Sequence, residues 1–203
     1  MNAKHASAEV RRQQFFEAAL EVCSNKGYHA TRMDDIAAQA GLSKGSLYHH
    51  FESKEQLFLQ LVESIYAELE EMLQEDLASE LSAREVIGHL YDYFTQHFAS
   101  RPTLLRGLFE FIMLGLRHEE FRVRFQTRYE EGIAQLAQIV DVGKAQGDFA
   151  EDIDSVQVAR IFALSGDGML MLYHAMGWQE RSVEDARLQL EIFLRGLAPR
   201  PER

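Results

Sequence analysis

The stretch from Gly27 to Phe58 constrains the fold of this chain more than any other part of the sequence. Gly27 follows an apolar helical pattern and predicts the end of a helix, because glycine has no Cβ to clash in left-handed backbone. Thr31 is expected to cap a short second helix, with Asp34 as its capping-box partner. Gly41 is expected to end that helix. The pattern therefore predicts a short helix with a stop signal at each end.

A third short helix follows at once. Ser43 is a favourable N-cap, and the helix is expected to run from about Lys44 to His50. Leu47 and Phe51 are four residues apart and are expected to face inward. The residues left on the outside are Lys44, Gly45, Ser46, Tyr48, His49 and His50. Two short helices joined by a glycine turn form a helix-turn-helix, whose second helix fits the major groove of DNA.

A fourth helix is expected to begin at Ser53, with Gln56 as the reciprocal capping partner. Lys54 lies in its first turn, where a cation opposes the helix dipole. Helix stability therefore does not explain this lysine, whereas a phosphate bound at the same helix end would. Apolar residues continue at intervals of three and four to about Leu77, so we expect one unbroken helix with no flexible linker.

Composition narrows the class of protein. The chain has 203 residues, 3 prolines and no strand-like alternation, so we expect an all-α fold. Its apolar runs are too short to span a bilayer and it begins without an apolar signal region, so we expect a cytoplasmic protein with no membrane partner. The single cysteine, Cys23, rules out an intrachain disulfide and is expected to be buried on the first helix.

The net charge of −11 is unevenly distributed. Residues 1–54 carry 7 Lys and Arg against 6 Asp and Glu, whereas the remainder carries 14 against 26. The acidity therefore belongs to the C-terminal part, and the segment predicted to face DNA is close to neutral. Because non-specific affinity for DNA depends on local cations, we expect that affinity to be modest.

These residues resemble the DNA-binding segment of the TetR family of bacterial transcriptional repressors, and most of all its multidrug-binding members. The matching residues are Gly27, Tyr28, Thr31, Ile36, Ala37, Ala40, Gly41, Ser43, Gly45, Leu47, Tyr48, Phe51, Lys54 and Leu57. The resemblance implies DNA contacts at Thr31, Ser43, Lys44, Gly45, Tyr48, His49 and Lys54. Ser46 and His50 match contact positions in other members.

The resemblance also implies two domains and a homodimer. Residues 1–54 would form a three-helix DNA-binding domain, and residues 55–203 a helical domain for effector binding and dimerisation. The last two helices would pair with their twofold mates through Ala159, Ala163, Gly166, Leu190, Phe193, Leu194 and Leu197. Two recognition helices about 34–36 Å apart, or a multiple of that distance, would read a palindromic operator in double-stranded DNA.

The resemblance further implies an effector cavity among the later helices, where aromatic and methionine side chains suit a small, mainly apolar effector. Its expected lining is Phe94, Phe98, Phe109, Met113, Tyr129, Asp167, Met169 and Tyr173. Asp167 stands between two glycines on an otherwise apolar helix. It could bind a cationic ligand, cross the dimer interface or cap a neighbouring helix. The effector is expected to release the DNA by shifting the long fourth helix.

Other functions have less support. Gly41 to Gly45 match the G-x-S-x-G pattern of hydrolases with Ser43 as nucleophile, but that motif needs a preceding strand. The zinc-protease pattern that begins at His118 has Arg122 where its second histidine is required. We therefore expect no catalytic residue, no metal site and no cofactor. The alternative to an effector-controlled repressor is a DNA-binding protein of the same fold without an effector, acting as an architectural or partner-regulated factor.

Overall fold

The computed structural model describes the backbone of residues 3–199 and their side chains except those of residues 3–7, 97–99, 179, 180 and 182. These residues form nine α-helices and no strand, which confirms the all-α prediction. The helices are α1 (Ala3–Ala30), α2 (Met33–Gln39), α3 (Lys44–His50), α4 (Lys54–Leu77), α5 (Ala83–Ser100), α6 (Pro102–Gly115), α7 (Glu119–Gln146), α8 (Ser155–Ala175) and α9 (Gln179–Leu197). In this described range, no helix combines the length and the apolar character needed to cross a lipid bilayer.

Packing divides the chain into two compact units. The first unit contains the chain up to Glu68 together with Pro102–Phe125. The second contains Leu69–Arg101 and the chain from Gln126 onward. Helix α6 and the start of α7 therefore belong with α1 to α3 and the first part of α4. These units describe packing, and the functional division into residues 1–54 and 55–203 stays a prediction.

Phenylalanine rings on α1 fix the helix-turn-helix in the first unit. The ring centroids of Phe15 and Phe16 lie 6.1 and 5.6 Å from that of Phe51, which directly follows α3. All three side chains are buried. Cys23 lies on the same inner face, and burial raises the pKa of its thiol to about 11. The cysteine is therefore a buried apolar packing residue of α1, as predicted.

Helix α6 completes the core of the first unit. The Phe111 ring on α6 lies 5.0 Å from the Phe58 ring on α4, and both rings are fully buried. Helix α6 also passes close to α1, since a Cβ added to Gly107 would lie 2.4 Å from Leu20 Cδ2. The helix-turn-helix is thus supported by a helix that comes from the middle of the sequence.

The second unit has its own apolar core, to which α4, α5, α7, α8 and α9 contribute. The Phe149 side chain, only 1% exposed, fills the space beside Gly143 on α7. A Cβ added to Gly143 would lie 2.3 Å from Phe149 Cδ2 and 2.9 Å from Ala83 Cβ. Packing, rather than backbone conformation, therefore requires glycine at this position.

The start of α2 differs from the prediction. Arg32, not Thr31, caps the helix, and its backbone N–H donates to the Asp35 carboxylate at 3.0 Å. The Thr31 hydroxyl instead donates to the Gly27 carbonyl at 2.8 Å. Gly27 breaks α1 with φ 78° and ψ 161°, and the Thr31 backbone N–H donates to the Tyr28 carbonyl. The Gly27 carbonyl therefore takes its donor from the Thr31 side chain.

Candidate DNA-binding site

Helix α3 has one buried apolar side and one polar side that faces outward. It runs over Lys44–His50 as predicted, and Ser43 caps it by accepting the Ser46 backbone N–H at 3.1 Å. Leu47 and Phe51 have no exposed surface, so they fix which side of the helix faces outward. Among the predicted contact residues of this segment, Ser43, Lys44, Gly45, Tyr48 and His49 are exposed, and Ser46 and His50 are half-buried.

The two histidines at the end of α3 differ in their surroundings. The His50 ring lies 5.9 Å from the Phe15 ring and 5.6 Å from the His49 ring. Burial, followed by the proximity of His49, lowers the pKa of His50. His50 is therefore a neutral imidazole at pH 7, with one donor and one acceptor nitrogen. It is suited to a hydrogen bond with DNA rather than to neutralising a phosphate.

Two lysines, one on α1 and one on α3, already have carboxylate partners on α2. Lys44 Nζ lies 2.7 Å from Asp34 Oδ1, and this hydrogen bond raises the pKa of Lys44. Lys26 Nζ lies 2.5 Å from Asp35 Oδ2. The Lys44 pair is exposed, with 59% of the lysine side chain accessible, so a phosphate can compete for it. The surface that α3 presents is therefore weakly charged in the free protein.

Thr31 and Lys54 have partners inside the protein. Thr31 is 2% exposed, and its hydroxyl bonds to the Gly27 carbonyl. Lys54 Nζ donates to the backbone carbonyls of Tyr28 and Thr31 at 2.7 and 2.9 Å. This corrects the argument that only a phosphate explains a lysine at the start of α4. The DNA contacts implied for both residues stay predictions, and the free protein shows a different use for each side chain.

In the second unit, Asp167 on α8 is paired with Tyr129 on α7. The Tyr129 hydroxyl donates to Asp167 Oδ2 at 2.7 Å. Burial raises the pKa of Asp167, and the bond from Tyr129 partly opposes that rise. Cβ atoms built on Gly166 and Gly168 would meet no other group within 4 Å. Asp167 is thus a partly desolvated carboxylate with free space beside its neighbours in the helix.

Other expected effector-site residues of the second unit pack around the same core. Phe94 and Met169 are partly buried against it. The Tyr173 hydroxyl donates to the Asp185 carboxylate on α9, so this tyrosine links the last two helices. These contacts account for part of the aromatic and methionine content by packing alone.

Two residues of the expected effector lining lie outside the second unit. Phe109 and Met113 lie on α6 and belong to the first unit. Phe109 is half-buried and Met113 is 54% exposed. The side chain of Phe98 lies outside the described residues. The structure therefore joins Tyr129 and Asp167 directly and leaves the rest of the predicted lining as a proposal.

The predicted dimer residues are all partly or fully buried within the single chain, and their role at an interface stays a prediction. Ala159, Leu194 and Leu197 are 1%, 9% and 6% exposed because they pack into the core of their own unit. The other four predicted residues, Ala163, Gly166, Leu190 and Phe193, are half-buried. A different set of large apolar side chains is exposed on the same two helices. We call it the α8–α9 apolar face, and it consists of Ile161, Leu164, Leu172, Leu188 and Ile192.

No sequence motif predicts a further feature of the first unit, a cleft of about 770 Å³. Its lining is Glu55, Leu59, Arg117, His118, Glu119, Glu120, Val123 and Arg124. Glu55 and Glu120 share a hydrogen bond there, which raises the pKa of Glu55. Each carboxyl group lies in the first turn of its helix, a position that favours negative charge and is readable from sequence. The proximity of the two carboxyl groups cannot be read from the sequence, because Glu55 and Glu120 are far apart along the chain.

The described residues contain no group of three or more His, Cys, Asp or Glu side chains that could hold a metal ion. The Glu55–Glu120 pair consists of two carboxyl groups that share a hydrogen bond.

Comparison with known proteins agrees with this architecture. The sequence pattern of the family described as bacterial regulatory proteins, tetR family, matches residues 15–61. The chain is 31% identical over 150 residues to the HTH-type transcriptional repressor NicS of Pseudomonas putida, covering 72% of this chain and 69% of that one. It is 27% identical over 193 residues to the uncharacterized HTH-type transcriptional regulator YfiR of Bacillus subtilis, covering 92% and 93% of the two chains.

The fold is also similar to solved structures. The transcriptional regulator FadR from Bacillus subtilis, solved in complex with stearoyl-CoA, has a TM-score of 0.77 at 23% identity. That similarity covers 91% of this chain and 98% of the FadR chain. From the sequence match and the exposed helix-turn-helix together, we conclude that the chain is a member of the TetR family of bacterial transcriptional regulators.

Proposed function

We propose that the protein is a homodimeric transcriptional repressor that binds a palindromic operator and is released by a small, mainly apolar effector. One observation carries the proposal: α3 stands on the fully buried Leu47 and exposes Lys44, Tyr48 and His49. Such side chains can donate to phosphates and base edges or pack on a thymine methyl group. NicS, a similar protein, is named a repressor, which supports the same direction of regulation here.

The α8–α9 apolar face supports the homodimer. Ile161, Leu164 and Ile192 are each more than half exposed, and an apolar surface of this kind marks an association site. A second copy of the same chain would cover it through a self-complementary contact. Two α3 helices related by a twofold axis would then bind two half-sites of a palindrome. A protein acting in this way on bacterial DNA would work in the cytoplasm.

The second unit supports control by an effector. Tyr129 and Asp167 offer a polar anchor, and the partly buried Phe94 and Met169 offer apolar contact. The similar fold of FadR from Bacillus subtilis holds stearoyl-CoA, a ligand with a long apolar chain. Helix α4 is continuous from Lys54 to Leu77 and so belongs to both units. The effector would bind the conformation with low operator affinity more tightly than the conformation that binds the operator. The loss of operator affinity would equal this difference in the free energy of effector binding.

The test begins with selection of bound duplexes from a random pool by the purified protein. A palindromic sequence bound by a dimer is the expected result, and loss of affinity in Lys44→Ala would assign binding to α3. Arg106→Ala is the matched control, because it also removes an exposed cation from the first unit but lies on α6. Equal effects of the two variants would contradict recognition by α3.

The effector is tested separately, by measuring operator affinity against a panel of acyl and aromatic compounds. A compound that binds the second unit should weaken operator binding, and Asp167→Asn should change the response to basic compounds. If every compound leaves operator affinity unchanged while the palindrome is bound, the alternative of a DNA-binding factor without an effector is supported.

A further inference from the structure

Asp34 and Asp35 are neighbouring acidic residues in the first turn of α2, and the structure uses them differently. The Asp35 carboxylate accepts the Arg32 backbone N–H at 3.0 Å and lies 2.5 Å from Lys26 Nζ. Asp34 contacts α3 instead, where its Oδ1 lies 2.7 Å from Lys44 Nζ. The start of α2 is therefore capped without Asp34, and this carboxylate is available for another role.

The Asp34–Lys44 pair is exposed to solvent on the helix-turn-helix. The Asp34 side chain is 63% exposed and that of Lys44 is 59% exposed. Lys44 Nζ also lies 5.9 Å from the centroid of the Tyr48 ring on the same helix, within range of a cation–π interaction. In the described part of the chain, Asp34 Oδ2 accepts no hydrogen bond. The pair therefore keeps one carboxylate oxygen that can accept a hydrogen bond from a group outside the protein.

The position of Lys44 brings both charged groups to the bases when α3 enters the major groove. Lys44 is the first residue of α3, and residues at the N-terminus of a recognition helix contact base edges. Because Asp34 Oδ1 is within hydrogen-bond distance of Lys44 Nζ, the carboxylate reaches the base pair that the lysine contacts. Phosphates repel a carboxylate, so Asp34 favours binding only where a base offers it a donor. In the major groove, such donors are the N4 amino group of cytosine and the N6 amino group of adenine.

A G·C base pair matches the two charged groups together. Guanine presents N7 and O6 as acceptors, and the cytosine N4 amino group lies beside O6. The Lys44 ammonium can donate to guanine while Asp34 accepts from cytosine, and the 2.7 Å contact between the two side chains is kept. An A·T pair also places a donor beside an acceptor, but guanine offers the ammonium two adjacent acceptors. A phosphate is a poorer partner for the pair, because it brings a second anion beside the Asp34 carboxylate.

We propose that Asp34 is a specificity-determining residue, which accepts a hydrogen bond from cytosine N4 while Lys44 donates to the paired guanine. Two residues from two helices would thus read one G·C pair in each half-site of the operator. The inference rests on the proposed function, because it names a base pair that the proposed repressor recognises. It assigns a role in DNA recognition to an acidic residue, for which the family resemblance implies no contact.

The test compares the base preferences of the wild-type chain and Asp34→Ala after selection of duplexes from a random pool. We expect the wild-type chain to enrich a G·C pair at one position of each half-site. Asp34→Ala should lose roughly tenfold in discrimination at that position and keep the preferences at the other positions. Glu17→Ala is the matched control, because it removes an exposed carboxylate from α1 of the same unit. The control should keep the preference at every position.

A second measurement uses the wild-type chain, so it does not depend on the folding of a variant. N4-methylcytosine still pairs with guanine, but its methyl group takes the place of the amino hydrogen that faces the major groove. This base at the selected position should weaken wild-type binding by roughly tenfold. Binding by Asp34→Ala should be unchanged, because the variant has no acceptor for that hydrogen.

Two results would overturn the inference and leave the proposed function intact. One is an Asp34→Ala chain that selects the wild-type palindrome with the same preference at every position. The other is unchanged wild-type affinity when N4-methylcytosine replaces each cytosine of the operator in turn. If the wild-type chain enriches no palindrome, the proposed function fails, and the inference fails with it.

Discussion

Asp34 on α2 holds Lys44 of the recognition helix at 2.7 Å, so the cation best placed to meet DNA is already paired with a carboxylate of the same protein. A phosphate must displace Asp34 before Lys44 contributes to binding. Asp34 therefore lowers the affinity for any DNA sequence in which Lys44 can contact a phosphate but no base edge. This pair gives a structural reason for the modest non-specific affinity expected from the near-neutral charge of residues 1–54.

We predict that Asp34→Asn increases affinity for non-operator DNA severalfold and makes the salt dependence steeper by about 0.9, because Lys44 becomes free to pair with phosphate. Fluorescence anisotropy over a range of salt concentrations measures both quantities. Glu52→Gln is the control, since it removes a negative charge from a neighbouring segment and, among the described residues, Glu52 has no ion-pair partner. A similar gain in affinity for non-operator DNA in Glu52→Gln would show that the change in net charge, and not the release of Lys44, causes the effect.

The Glu55–Glu120 pair predicts how stability depends on pH. The shared hydrogen bond raises the pKa of Glu55 above its usual value of about 4.3, so the folded state binds this proton more tightly than the unfolded state. The contribution is fully present below the usual pKa and is lost as pH rises through the raised one. Glu55→Gln keeps a donor without the charge. It should raise the unfolding temperature at pH 7 relative to wild type and flatten the part of the profile in which wild-type stability is lost as pH rises through the raised pKa of Glu55.

Thermal unfolding from pH 4 to pH 8 measures this profile. Glu17→Gln, an exposed position on α1, is the control and should follow the wild-type curve. A Glu55→Gln curve that runs parallel to wild type throughout would show that the pair does not share a proton.

The Tyr129–Asp167 bond predicts a second titration. Because the Tyr129 hydroxyl partly opposes the effect of burial, Tyr129→Phe should raise the pKa of Asp167 further. With the folded pKa above the unfolded one, stability falls as pH rises through the folded value, so the variant should lose more stability toward neutral pH than wild type. NMR titration of the Asp167 carboxyl group measures the shift. Tyr173→Phe, whose hydroxyl serves Asp185, should leave that titration unchanged.

Gly143 predicts a packing effect in the second unit. A Cβ there would lie 2.3 Å from a ring carbon of the buried Phe149, so Gly143→Ala should destabilise the protein by about 1–3 kcal/mol. Gly132 is on the same helix with free space around its Cβ position, and Gly132→Ala should stabilise by up to about 1 kcal/mol. Denaturant unfolding compares the two. Equal effects would mean that helix propensity, and not Phe149, decides the outcome at residue 143.

The α8–α9 apolar face predicts the oligomeric state. Ile192→Glu places a charge at a side chain that is 63% exposed in the single chain, so it should leave folding intact while breaking the homodimer. Operator affinity should then fall by roughly 100-fold, because the two half-sites are no longer bound by two linked copies of the protein. Val142→Glu, at an exposed apolar side chain of α7, is the matched control. Sedimentation analysis at several concentrations would show a dimeric Ile192→Glu if the face is not the interface.

The local features of the fold were predictable from sequence because they depend on neighbouring residues. The Ser43 cap, the span Lys44–His50 of α3 and the span Pro102–Gly115 of α6 follow from capping chemistry and from apolar spacing of three and four. Thr31 was the exception. Its hydroxyl had two possible partners, the N-terminus of α2 and the Gly27 carbonyl, and the break at Gly27 decided between them.

The remaining features depend on contacts between distant parts of the chain. Apolar spacing shows that one side of α6 is buried, but not that it is buried against α1 and α4. The resemblance implied that Ala159 on α8 lies at the dimer interface, yet Ala159 packs into the core of its own unit, while Ile161, two residues further along the helix, is exposed. The periodicity of apolar residues cannot distinguish a helix surface that packs within its own chain from one that binds a second copy of the chain.

The two-segment composition of the first unit bears on how such proteins can be recombined. The family pattern covers residues 15–61, whereas the packing unit that contains it also includes Pro102–Phe125. A chimera joined at one point within α4 would give the transplanted helix-turn-helix a foreign α6, with Leu20 facing a residue other than Gly107. Exchanging operator specificity between relatives therefore requires that two segments be transferred together. These are the N-terminal segment up to Glu68 and the segment Pro102–Phe125.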